Sequence, residues 1–330
     1  MRDLYNLHKF YSNSKSSKQL NNRRKSFGYQ VLGFGSGGAA AFAMNDNGIF
    51  GYGSSPSKVS MTNKVSNAGV VATDTTGVGT ARQTLAATQY GGDKGIFAYG
   101  ATPTNVATSN LVSNSGVVAA DVTGVGTARQ GPAACSFDSQ QRGIFGYGEV
   151  GPTYTAVSNL VSNVGVVAAD TTGVGDARYL LAACEYGGDK GIFGFGYGPS
   201  HEWDTRSNLV SNTGVIAADT SHSGGSGRQA PGACSYGGDK GIFAYGYNAS
   251  GGMNTSQLVS NVGVIGANVS GVGSARDSLN ACEYGEDKGI MAYGGGPVNM
   301  SNLVSNTGVV SADVTGVGTA RSYIGSCSYN

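Results

Sequence analysis

The sequence predicts an all-β chain, and more narrowly a six-bladed β-propeller of four-stranded antiparallel blades with a basic N-terminal extension. Three observations predict it. The motif Gly-Ile-Phe, or Gly-Ile-Met, recurs at Gly48, Gly95, Gly143, Gly191, Gly241 and Gly289, so each unit is 47 to 50 residues long. The chain holds 56 Gly in 330 residues, and Gly costs a helix about 1 kcal/mol per position relative to Ala. Short apolar runs are bounded by turn signals roughly every 8–12 residues, the spacing of an all-β protein. A unit of this length with four short strands fits a propeller blade, whereas the coils of a β-helix are shorter. Because each unit buries its faces only against its neighbours, the repeat overrides the two-domain prior that length alone would set. The division is an arm over residues 1–35 and six units over residues 36–330.

Within a unit the elements follow in order. The second strand, b, is the run GIFAYG at Gly95–Gly100. Ile96 and Ala98 point one way and Phe97 and Tyr99 the other, so both faces are apolar, as a sheet packed between two others requires. A variable loop leads to c, LVSN, and d, GVVAAD, joined at an Asn-x-Gly step whose Gly supplies a positive φ. After GVGTAR comes the innermost strand, a, built of small residues such as Ala182, Ala183 and Cys184. Gly and Asp in YGGDKG then make the a–b turn.

The run ARQGPAACSF, DSQQR, GIFGYG, a loop and LVSNVGVVAAD resembles the kelch repeat, over about residues 36–330. The resemblance implies the propeller fold and says little of function. Two departures stand out: one Gly ends strand b where kelch repeats have two, and the d-strand Trp of that family is missing. Seven segments compete for six innermost strands. The N-terminal SGGAAAFAMNDN and the C-terminal RSYIGSCSYN could each complete the first blade. The C-terminal one keeps Arg321 and Cys327 in register and follows the last d strand directly, which favours it.

Four features are candidates for function. Arg82, Arg129, Arg178, Arg228, Arg276 and Arg321 each precede an a strand. Resemblance to kelch propellers implies that such arginines can line a channel mouth and bind carboxylates, for which the guanidinium fork is suited. The alternative is structural: Asp74, Asp121, Asp170, Asp219 and Asp313, with Asn268 in the remaining unit, could pair with them between blades. Cys135, Cys184, Cys234, Cys282 and Cys327 share one repeat position held by Thr88 in the other unit. One per blade is not the clustered spacing of a zinc site, and free Cys packs as a small buried hydrophobe. The b–c loops differ most between units and share a face with the arginines. They carry Tyr154, His201 and Trp203, residue types that anchor ligands on loop surfaces. Glu202 and Asp204 flank Trp203, but without a second His or Cys they make a poor metal set.

The fourth feature is the arm. Residues 1–26 carry seven Lys or Arg and one acid, while the remainder carries 14 basic and 19 acidic side chains. That composition vaguely resembles a transit peptide; it suits an arm that docks on an acidic or nucleic-acid partner, and equally a disordered leader. Overall the net charge is +1 and charged residues are 12%, which argues against a general nucleic-acid binder. No apolar run approaches a membrane span. Neither a cofactor nor a metal is expected. With three His, and with Asp and Arg sets common to every unit, the chain reads as non-enzymatic. Its near-identical Gly/Ser/Thr/Asn-rich repeats resemble repeat proteins of tailed bacteriophages. That resemblance implies a virion component docked through residues 1–35 and presenting its loop face to a host-surface glycan or protein. The alternatives are a cytoplasmic kelch-like adaptor and a carbohydrate-active propeller enzyme.

Overall fold

A computed structural model describes residues 45–199, 202–222 and 224–330. The arm, the segment 36–44 and His201 therefore lie outside the described residues. Among those described the chain is all-β, without a helix, in many small antiparallel sheets.

Six of these sheets repeat one plan. In the second, strand a (Ala86–Tyr90) pairs with b (Lys94–Ala98), and b pairs with c (Ser109–Val112). The third, fourth, fifth and sixth sheets start from Ala133–Phe137, Ala182–Tyr186, Gly232–Tyr236 and Asn280–Tyr284. The first sheet is completed from the far end of the chain. Gly325–Tyr329 pairs antiparallel with Asn47–Gly51, from Asn47↔Tyr329 to Gly51↔Gly325. The C-terminal segment is thus the innermost strand of the first sheet, as its register implied.

The fourth strand departs from expectation. Only the fourth and fifth sheets have one, Thr220–Ser221 and Ile265–Val269. In the other four, the GVVAAD segment touches strand c through two isolated bridges, such as Val112↔Val118 and Ser109↔Val122. A buried amide on strand c reaches this segment in every sheet: Asn110 donates from Nδ2 to the carbonyl of Ala119 at 3.0 Å, and Asn208 and Gln257 do the same in the fourth and fifth sheets. The expected Asn-x-Gly turn is present: Gly116 has φ 68°, and a Cβ there would sit 2.4 Å from the Tyr329 ring of the preceding sheet. Backbone freedom and lack of volume are both needed at that position.

Each innermost strand packs against that of the next sheet, and the sixth packs against the first. Between neighbouring sheets the thiols meet glycines. A Cβ on Gly191 would lie 2.4 Å from Sγ of Cys135, and Gly48, Gly95, Gly241 and Gly289 face Cys282, Cys327, Cys184 and Cys234 in the same way. The sixth contact is Gly143 against Thr88. All five cysteines are buried and unpaired by disulfides, and burial pushes their thiols far from ionisation. They are packing groups, as expected of buried Cys. Gly191→Ala is expected to cost about 1–3 kcal/mol through overpacking. Adding Cys135→Ala removes the opposing sulfur, so a thermal-denaturation double-mutant cycle should show most of that loss recovered.

Candidate binding face and channel

The arginines are interior groups. Arg82, Arg129, Arg178, Arg228 and Arg321 are 0% exposed, and Arg276 is 4% exposed. Each guanidinium stacks on an aromatic ring of the preceding sheet: Arg129 lies 4.0 Å from the Tyr99 centroid and Arg82 4.3 Å from that of Tyr52. Each is also anchored on strand c of its own sheet, as Arg82 Nη2 is on Asn110 Oδ1 at 2.7 Å. Ion pairs follow within 4 Å for Arg82–Asp121, Arg178–Asp219, Arg276–Asp313 and Arg321–Asp74. These pairs lie within one sheet, not between blades as expected. The loop before each arginine has already crossed to the next sheet, so Arg82 meets Asp121 and Asp74 is left for Arg321. The same Asp121 accepts from the Thr80 amide and hydroxyl, pinning the crossing loop. In the fifth sheet Gln257 and Asn268 replace the Asn and Asp around Arg228, and amide oxygens there take the guanidinium at 2.9 and 3.1 Å. Six buried, stacked and bonded guanidinium groups are structural, and the arginine set does not line the channel mouth as an open carboxylate site.

What lines the mouth is the residue two places after each arginine: Thr84, Gly131, Leu180, Ala230, Ser278 and Tyr323. All six are left-handed, with φ between 50° and 59°. Their backbones form a closed cycle of hydrogen bonds. Thr84 N donates to Tyr323 O, Tyr323 to Ser278, Ser278 to Ala230, Ala230 to Leu180, Leu180 to Gly131, and Gly131 to Thr84 O, at 2.7–3.0 Å. A left-handed conformation costs about 1 kcal/mol or more at each non-Gly residue. The cycle of amide–carbonyl bonds holds it in place. Inside lies a cavity of about 70 Å³ lined by Leu85, Pro132, Leu181, Pro231, Leu279 and Ile324 beneath that belt.

The b–c loops open beside the mouth, as expected. Bridges such as Gln130↔Glu149, Tyr179↔Tyr197 and Gln229↔Tyr247 tie the start of each loop to the residue after the arginine. One sector is aromatic. Tyr154 stacks on Tyr179 at 5.0 Å and 12°, and Tyr197 meets both edge-on. Burial, then the nearby Tyr154 and Glu149, push the Tyr179 hydroxyl up to about 12, so it stays a neutral donor. Tyr247 and Tyr323 are 40% and 36% exposed. They border a cavity of about 260 Å³ together with Leu180, Gln229, Ala230, Asp277 and Ser278.

No protein-family model and no curated protein matches this chain. The kelch and bacteriophage resemblances therefore rest on the repeat pattern alone, and the site must be read from its own chemistry. Of the loop residues singled out in the sequence, Tyr154 joins the aromatic sector. Trp203 is half-buried at φ 56°, its carbonyl seated against Gly227 and its indole N–H buried without a partner. Asp204 is buried and ion-paired to Arg206 at 2.6 Å, so it has no open valence for a metal. His222, in the same unit, is half-buried against Phe195, and burial holds its imidazole below the usual range. Phe195 stands where five other units have a tyrosine whose hydroxyl donates to a valine carbonyl of the crossing loop, as Tyr52 does to Val78.

At the opposite end of the innermost strands sits a group not singled out in the sequence. Gln89, Ser136, Glu185, Ser235, Glu283 and Ser328 share one strand position, and Gln140 reaches them from the a–b turn of the third sheet. Glu185 and Glu283 are 5% and 3% exposed. Glu283 Oε2 accepts from Gln89 Nε2 at 2.9 Å and Gln140 Nε2 at 3.1 Å, and Glu185 Oε2 accepts from Ser136 Oγ at 2.8 Å. Burial, then the charge of Glu283, pushes the Glu185 carboxyl up to about 8. Burial pushes Glu283 up to about 7 against the hydrogen bonds of Ser235, Gln89 and Gln140. The signal in the sequence was present: this is the one strongly polar, variable position in an otherwise near-constant small-residue strand.

Proposed function

We propose that the six sheets form a kelch-like six-bladed propeller that serves as a non-enzymatic binding part, its ligand a glycan held at the aromatic sector of the mouth. The observation that carries this reading is the exposure of Tyr247 and Tyr323 around a cavity that also presents Asp277, Gln229 and Ser278. Aromatic faces pack on the C–H faces of a sugar, and a carboxylate and an amide bond its hydroxyls. The sector belongs to a few units only, which suits recognition better than a feature common to all six. The Arg set that a carbohydrate-active propeller enzyme would need is buried, and four of its members are ion-paired to repeat aspartates, which supports a binder over an enzyme.

The Gly/Ser/Thr/Asn-rich repeats add a setting to this proposal: a virion part docked through residues 1–35, with its loop face outward. On a glycan array, the full chain should bind a restricted set of sugars, and Tyr247→Ala and Tyr323→Ala should each weaken that binding about tenfold or more. A chain lacking residues 1–35 should keep the binding and lose attachment to its assembly. Absence of any glycan binding by the intact chain overturns the ligand class.

A further inference from the structure

We propose that the sugar taken at the mouth carries a free, protonated amine, and that Asp277 binds this ammonium in the cavity bordered by Tyr247 and Tyr323. The inference rests on the glycan reading of the same cavity and names the sugar class: an amino sugar whose nitrogen is not acetylated.

The charge of the cavity points to it first. The residues that follow the six arginines are Gln83, Gln130, Tyr179, Gln229, Asp277 and Ser322, so Asp277 is the one acid of the set. None of the residues lining its cavity of about 260 Å³ is basic. Among the described residues the Asp277 carboxylate has no ion pair, and its side-chain bond comes from Ser278 Oγ to Oδ1 at 2.6 Å. Glu149, an acid at the same level of the mouth, is satisfied differently: Gln130 Nε2 donates to its Oε2 at 2.7 Å. Lys58 of the first b–c loop bonds to the Thr102 carbonyl, and Arg206, beyond the fourth, is bound to Asp204 and Asp176. Neither serves Asp277.

The acid is also left uncovered. In the other units the loop residue opposite this position is Ser54, Ala101, Glu149, Tyr197 or Tyr247. In the sixth it is Gly295, whose amide donates to the Asp277 carbonyl at 2.6 Å. A Cβ there would meet Asp277 Oδ1 and Oδ2 at 2.9 and 3.2 Å, so the carboxylate lies over a position that has no side chain. The aromatic partners are held in place before a ligand arrives. Tyr247 exchanges two backbone bonds with Gln229, each at 2.9 Å, and Tyr323 sits in the closed cycle, donating to Ser278 and accepting from Thr84. Such preorganisation lowers the cost of binding. A cation is attracted to the face of a tyrosine ring. An ammonium brings donors alone, which suits a cavity whose polar groups, Asp277, Gln229 and Ser278, can all accept. An acetylated nitrogen brings no charge and would leave the carboxylate unpaired against the ligand.

The test compares two probes that differ at nitrogen, a fully deacetylated chitosan hexamer and the fully acetylated chitin hexamer. Each is titrated calorimetrically into the full chain at pH of about 6, where an amine of this kind is protonated. The chitosan hexamer should bind about tenfold or more tightly than the chitin hexamer, and added salt should weaken it. Asp277→Asn, which keeps the shape of the side chain, should erase most of that advantage and of the salt dependence. If the unmodified chain binds the acetylated hexamer equally well or better, or if Asp277→Asn keeps the full preference for chitosan, the amine is overturned and the glycan reading stands. Binding of neither hexamer, with neutral sugars bound on the array, also overturns the amine alone. A chain that binds no sugar overturns both readings.

Discussion

Removing residues 322–330 is expected to abolish cooperative folding of the chain. These residues supply the innermost strand of the first sheet, with five partner pairs along Asn47–Gly51. They also bury Ile324, Cys327 and Tyr329 at 5% exposure or less. A fully buried Ile or Tyr contributes about 1.5–3 kcal/mol, and each ladder bond adds about 1 kcal/mol. The deletion further removes Tyr323 from the six-membered hydrogen-bond cycle at the mouth and leaves Gly95 without its Cys327 contact. The loss rivals the whole stability of an ordinary domain, about 5–15 kcal/mol. Circular dichroism melts of the truncated chain should show a broad, low transition, and a synthetic peptide spanning residues 319–330 should restore a cooperative one. A truncated chain that melts like the full chain would show that the C-terminal strand is dispensable for closure.

The second large effect concerns pH. Glu185 and Glu283 have folded-state pKa values raised to about 8 and about 7, above the value near 4.3 of an unfolded chain. The folded state therefore binds more protons than the unfolded state between those limits. Stability from these groups is fully present below the unfolded value and is lost as pH rises through about 7 to 8. The loss is on the order of 4 kcal/mol for a group shifted that far. The sheet aspartates behave oppositely. Burial raises Asp121, but hydrogen bonds from Thr80 and Asn110 and the charge of Arg82 outweigh it and hold the carboxyl below the usual range. Stability from such groups is lost as pH falls through the acid range. In EDTA, the melting temperature should therefore peak in weakly acidic buffer and fall on the alkaline side. The pair Glu185→Gln and Glu283→Gln should flatten that alkaline fall and, at pH of about 8.5, melt about 10 °C above the unmodified chain. An alkaline limb unchanged by the double substitution would rule out these carboxyls as its source.

Much of the fold was legible because its signals are local. The Asn-x-Gly turn, the alternation of Ile96 and Phe97, and the small residues of strand a each depend on a few adjacent positions. The fourth strand was less legible. The outer segment reads much alike from unit to unit, yet only the fourth and fifth sheets pair it as a strand. Of the residues singled out, the arginines are interior and Tyr154 lies in the aromatic sector. The arginines drew attention because they repeat, and repetition turned out to mark packing: every unit must stack a guanidinium on the ring before it. Trp203 drew attention by rarity, and its loop folds it partly inward.

The sequence alone determined the period, the six units and the turn glycines, since register and residue volume carry that information along the chain; it favoured the C-terminal segment for the first sheet, and the pairing of Gly325–Tyr329 with Asn47–Gly51 decided it. Tertiary structure alone decided which partners the arginines take, because the crossing loop changes sheet just before each one. It also decided the meeting of Gln89 with Glu283, 194 residues apart, and of Gln140 with Glu283, 143 residues apart. Those contacts exist only once the sixth sheet lies beside the first. Until then two glutamates are unremarkable polar residues in separate repeats, and closure makes them a buried pair held by hydrogen bonds from Gln89, Gln140 and Ser136.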